Sequence, residues 1–256
     1  MNDRQRSNGP AIGNAAFSDL LSVDAGAHLQ KLAACMFPTP AQLPVELVRA
    51  ALKRGAAVID LQVRKRLLAI RDDGEGISGS QWLSLACALD PGRDAADREK
   101  AIAFLQSDAS PGIGLLAVWI PGSLDIRIEN ADSLGKKTMH VKAGRVRLTD
   151  SCALAAGTRI SISRHQGPVE AEIKLLRELC AVVPQLIVLN GQPLEKKSLL
   201  RRTLVQRTLE PATEGGRAGV AIPARGDVCR IWLLDQGIPW QALTSASYHG
   251  LVFEAS

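Results

Sequence analysis

Aromatic residues are scarce: Phe, Trp and Tyr make up 4% of the 256 residues, so Leu, Ile, Val and Ala must fill any core. No apolar run approaches the roughly 20 residues that cross a bilayer as a helix, and no membrane partner is expected. The opening MNDRQRSNGPAIGNAAFSD has no apolar stretch of the secretory-signal kind; a loose tail over 1–22 and a cytoplasmic location are the expectation. Five cysteines (Cys35, Cys87, Cys152, Cys180 and Cys229) stand singly with no CxxC, which predicts reduced thiols and argues against a disulfide frame or a zinc site. The four histidines have no Cys, Asp or His partners at metal-ligand spacing, so no metal site is expected.

What is present fits a globular chain: 46% hydrophobic and 22% charged residues are enough for a full core and a solvated surface. The net charge is +5 and the sequence pI about 9.1, a balance that admits a polyanionic partner. The Arg and Lys are nevertheless spread along the chain, with no aromatic-interleaved basic motif and no basic stripe. Nucleic acid is therefore only weakly supported at this level.

Leu29, Leu32, Ala33 and Met36 fall at helical spacing, and a second helix is predicted from Pro44 to the Gly55 stop. Val58–Val63 and Leu67–Ile70 flank Arg64-Lys65-Arg66 as a hairpin, followed by a short helix over Trp82–Leu89. Asp90–Pro111 is polar and reads as a loop or lid, and Ile113–Ile120 as a buried helix. Strands are predicted at Leu124–Glu129, Thr138–Lys142, Arg145–Leu148 and Thr158–Ser163. A helix over Val169–Val182 and a strand over Leu186–Leu189 close the α/β unit, 23–197. Beyond it, 198–256 shows short β-like runs between Gly-rich turns and reads as a small β-rich extension.

Three segments carry candidate chemistry. In Arg71-Asp72-Asp73-Gly74-Glu75-Gly76-Ile77 a strand-end carboxylate precedes glycines that let the backbone approach a flat ligand, although such a run is an ordinary Asp/Gly turn in most proteins. Ser110-Pro111-Gly112-Ile113-Gly114-Leu115 puts glycines at a helix start, where backbone N–H groups attract phosphate. Gly157-Thr158 enters a strand with a hydroxyl beside it.

In this order, and with the helix Val45-Glu46-Leu47-Val48-Arg49-Ala50-Ala51-Leu52-Lys53 ahead of them, the segments resemble the GHKL ATP-binding superfamily. That superfamily includes the 90-kDa heat-shock chaperones, gyrase, MutL and the histidine kinases. The lead-in Met36-Phe37 and the Pro184-Gln185-Leu186-Ile187 segment are similar to the heat-shock chaperones, and Gly55-Ala56-x-x-Ile59-Asp60 is MutL-like. The resemblance implies a two-layer Bergerat-type α/β sandwich: a mixed β-sheet with helices on one face. It also implies ATP or ADP as ligand, with Asp72 reading the adenine amine, Gly74, Gly76 and Ile77 beside the base, and Thr158 supporting that contact. Gly112 and Gly114 would shape the phosphate end, and Glu46 would be the general base.

Two positions depart from the family pattern. Ala50 stands where the superfamily keeps the Asn that binds Mg²⁺, and Lys53 where it keeps an Asp. A missing protein ligand undermines Mg²⁺ binding and leaves at most a weak ATPase. Lys53 could neutralise phosphate charge in the cation's place, or be a surface lysine. The expected function is adenine-nucleotide binding with a nucleotide-responsive lid and a protein partner or client. The alternatives are a pseudo-ATPase scaffold and, last, a MutL-like DNA-associated module.

Overall fold

The computed structural model describes residues 39–107, 123–133, 135–143 and 145–197, and five strands between residues 203 and 255. A 3₁₀ turn over Pro40–Gln42 leads into α1 (Leu43–Lys53), which places Pro44 in its first turn, where the missing N–H costs nothing. The helix ends in a Schellman arrangement. Gly55, at φ +74°, donates to Leu52 O, and Ala56 donates back to Ala51 O.

The chain then forms the hairpin β1 (Val58–Arg64) and β2 (Leu67–Asp72), followed by α2 (Gly79–Leu89) and α3 (Ala95–Gln106). Helix α2 starts with a capping box, in which Ser78 accepts from Gln81 N and the Gln81 side chain accepts from Ser78 N. Next come β3 (Ser123–Asp132), β4 (Gly135–Lys142), β5 (Arg145–Thr149) and β6 (Gly157–Arg164). Helix α4 (Val169–Leu179) continues as a 3₁₀ turn over Cys180–Val182 and precedes β7 (Leu186–Leu189) and β8 (Gln192–Pro193).

These eight strands form one mixed sheet in the order β5-β4-β3-β6-β2-β1-β7-β8. All neighbours are antiparallel except β1 and β7, which run parallel with Ile59 opposite Ile187. The turn after β7 is tied to β1, because the Asn190 side chain accepts from Val63 N at 2.9 Å. Burial alternates along the strands. Ile59, Leu61, Leu68, Ile70, Ile160, Ile162, Ile126 and Ile128 share the face that meets the helices. The result is the two-layer α/β sandwich expected from the sequence. The layers are also joined by charge, since Arg164 of β6 donates to the buried Glu172 of α4 at 2.7 Å.

The remaining strands, β9 (Thr203–Leu209), β10 (Arg217–Pro223), β11 (Arg230–Asp235), β12 (Ile238–Thr244) and β13 (Leu251–Ala255), form a second sheet in the order β12-β11-β13-β10-β9. Ile238 is buried in the same apolar core as the first sheet.

The loop expected over Asp90–Pro111 is corrected: Ala95–Gln106 is a helix, and residues 108–111 lie outside the described residues. Asp94 caps α3 by accepting from Ala96 N, and Arg98, Ala101, Ile102 and Leu105 are buried. Those positions follow the i, i+3, i+4, i+7 stripe of an amphipathic helix. The polar residues between them form the solvated side, and the Asp90-Pro91-Gly92 signal marks only the turn before α3. The helices expected over Leu29–Met36 and Ile113–Ile120 lie outside the described residues.

Candidate functional site

Strand pairing sets three polar side chains in one row on the helix-facing side of the sheet. Asp72 ends β2 opposite Thr158 of β6, and Thr158 in turn lies opposite Asn130 of β3. All three are buried, at one end of a row set otherwise filled by isoleucine. Thr158 Oγ1 reaches Asn130 Oδ1 at 3.4 Å. Asn130 holds the next loop with both ends of its carboxamide, accepting from Ile77 N at 2.7 Å and donating to Ile77 O at 2.9 Å.

Two glycines are needed for this packing. At Gly157, where φ is +80°, a Cβ would lie 2.0 Å from Asp72 O. Gly76 has φ +85°, and a Cβ there would lie 2.8 Å from Asn130 Oδ1. Internal approach of β6 and β3 to the 72–77 loop therefore accounts for both. Asp73 is likewise used locally, accepting from Ala57 N and Val58 N at 2.8 Å each.

The Asp72 carboxylate is already engaged at both oxygens. Oδ2 accepts from Arg54 Nη2 at 2.7 Å and Oδ1 from Gly74 N at 3.1 Å. The two side chains are 1% and 3% exposed, so the pair is a desolvated salt bridge between the end of α1 and the end of β2. Arg54 also gives its backbone carbonyl to Glu75 N at 2.9 Å. Its Nε and Nη1 atoms are buried without a hydrogen-bond partner among the described residues.

Glu46 belongs to a second cluster. It pairs with Arg49 one turn along α1, and both act electrostatically on Cys180. Burial pushes the Cys180 thiol up to about 12; Arg49 pulls against that shift and Glu46 adds to it. Lys53 is half-buried in the last turn of α1. Ala50 is 1% exposed and offers no oxygen to a cation. Among the described residues no three His, Cys, Asp or Glu side chains are grouped to hold a metal ion.

The structure thus gathers Asp72, Gly74, Gly76, Ile77 and Thr158 and sets Glu46 in another cluster. Gly112 and Gly114 lie outside the described residues. The sequence reading missed Arg54 and Asn130. Arg54 follows Lys53 at the helix end and carries a signal only as a cation beside a helix stop; Asn130 sits at a buried-face position of β3, where a carboxamide is unusual enough to mark a hydrogen-bonding role. No family model matches the chain, and no curated protein matches it.

Proposed function

We propose that the protein is a nucleotide-site-like frame whose base-reading carboxylate is held by its own Arg54, and that it works as a non-hydrolysing interaction module with a protein partner. The observation that carries this reading is the buried Arg54–Asp72 pair. An adenine amine needs a carboxylate oxygen as acceptor, and here a charged donor holds the one that Gly74 N does not. The Arg54–Asp72 contact is charged at both donor and acceptor, so a neutral amine competes poorly for that position. Mg²⁺ does not fit either. Ala50 supplies no ligand atom, and Lys53 brings like charge to the same helix.

Calorimetric titration with ATP and with ADP, each with and without Mg²⁺, tests the reading on the wild type. The expected outcome is no saturable heat up to millimolar nucleotide and no phosphate release. Saturable binding by the wild type would sink it.

One observation favours a second reading, adenine-nucleotide binding. Asp72 and Thr158 do share one row on the helix-facing side of the sheet, the pairing that base recognition would use. In that case Arg54 must leave before a base can enter. The wild type would then bind weakly, and Arg54→Ala would bind more tightly.

A further inference from the structure

The outward face of the eight-stranded sheet collects cations that are scattered in the sequence. One cross-strand row runs Asp60, Arg71, Arg159, Glu129, Thr138, Thr149. The next places Arg127 opposite His140, and His140 opposite Arg147. A third sets Asp125 opposite Lys142, and Lys142 opposite Arg145. Arg64 and Lys136 lie on the same face at its ends. Eight Lys and Arg thus stand against three carboxylates, a surplus as large as the whole chain's net charge of +5.

Two of the three carboxylates are already committed. Glu129 takes Arg127 and Arg159 at 3.1 and 3.2 Å, and Asp125 takes His140 and Lys142 at 2.7 and 3.7 Å. Arg71, Arg145 and Arg147 are exposed and have no ion-pair partner among the described residues. Edge protection against strand pairing explains charges on β5, but not Arg71, Arg127 and Arg159 in the middle of the sheet. Among the described residues no Phe, Tyr or Trp occurs on this face, and Gln62 is its one carboxamide.

We propose that the exposed cations of this sheet face form a docking surface for the phosphate backbone of double-stranded DNA. Rows of cations match a linear polyanion and release its counterions on binding. The lack of aromatic rings leaves nothing on which single-stranded bases could stack. An anionic membrane would call for large apolar side chains among the cations, whereas Val58, Leu186 and Val188 gather at the β1–β7 end of this face and only Leu67 stands within the cationic rows. The surface lies on the opposite side of the sheet from Asp72, so this inference is independent of whether nucleotide binds.

Fluorescence anisotropy of the full chain with a labelled DNA duplex of about 20 base pairs, between about 50 and 200 mM salt, tests it. Wild-type affinity should fall steeply with salt. Arg145→Ala/Arg147→Ala should reduce the log–log salt slope by about two and weaken binding about tenfold or more, and Arg71→Ala, on a central strand, should reduce the slope by about one. Lys174→Ala/Arg177→Ala on α4 removes the same charge from the helix layer and should change neither quantity. Circular dichroism melts confirm that each variant is folded. The proposal is overturned by no duplex binding at about 50 mM salt, or by equal losses in the α4 control. It is equally overturned by binding to a single strand, an RNA duplex or phosphatidylserine vesicles as tight as to the DNA duplex.

Discussion

Arg54 and Asp72 are 18 residues apart in sequence, and their side chains meet at 2.7 Å with almost no exposure to solvent. Breaking one partner of such a pair strands the other charge in the interior. Arg54→Met and Asp72→Leu should each lower stability by about 3–5 kcal/mol, whereas the double change Arg54→Met/Asp72→Leu should cost clearly less than their sum. Urea denaturation of the four proteins of the cycle measures the coupling. Additive losses would show that the two charges do not stabilise each other.

Asn130 bridges β3 to the loop that follows Asp72. Asn130→Ala leaves Ile77 N and Ile77 O without their partner, at a cost of about 2–3 kcal/mol. Amide exchange at Ile77 should accelerate well beyond that of the β3 core. Unchanged exchange there would mean that the loop is held by other contacts.

Two glycines with the same backbone sign separate steric from conformational cost. Gly191 has φ +82° with nothing within 4 Å of a built Cβ, whereas at Gly157 that atom would lie 2.0 Å from Asp72 O. Gly191→Ala should cost about 1 kcal/mol, and Gly157→Ala more than about 3 kcal/mol. Thermal melts of the two variants decide it; similar shifts would contradict the close approach at Gly157.

Cys180 is fully buried, and desolvation raises its thiol from 9.0 to about 12. A group with a raised folded-state pKa contributes stability below its unfolded value and loses that contribution as pH rises through the interval. Stability should therefore decline between pH 9 and about 12, and Cys180→Ala should flatten that decline. In the native state at about pH 8, Ellman's reagent should reach the partly exposed Cys87 and Cys152 well before Cys180. Rapid labelling of Cys180 would place it nearer solvent.

The α/β architecture was legible because periodicity and punctuation agreed. Pro44 opened α1, Gly55 closed it, alternating isoleucines marked β3 and β6, and Leu68 with Ile70 marked β2. Helix α3 was hidden because Asp97, Arg98, Glu99 and Lys100 run together in its first half, and its stripe of four buried residues includes one of these charges, Arg98. The Asp72 turn was legible as a feature, but its partner was not: nothing local connects a helix-terminal arginine to a strand end 18 residues on. The basic face escaped for a related reason. Its cations alternate with apolar residues within the strands, as at Arg145-Val146-Arg147, and pairing of six strands is what sets them side by side.

Strand β1 has one neighbour close in sequence and one far away. Its pairing with β2 needs only a two-residue turn, whereas its other edge waits for β7, and the Asn190 tether to Val63 spans 127 residues. At about 5–20 residues per second, a growing chain leaves that apolar edge uncovered for roughly 6–25 s after β1 has been made. During synthesis the inner strand of the finished sheet is thus an open edge, able to recruit another chain in place of its own β7. The interval before Leu186–Leu189 arrives is when this protein depends most on protection from its neighbours.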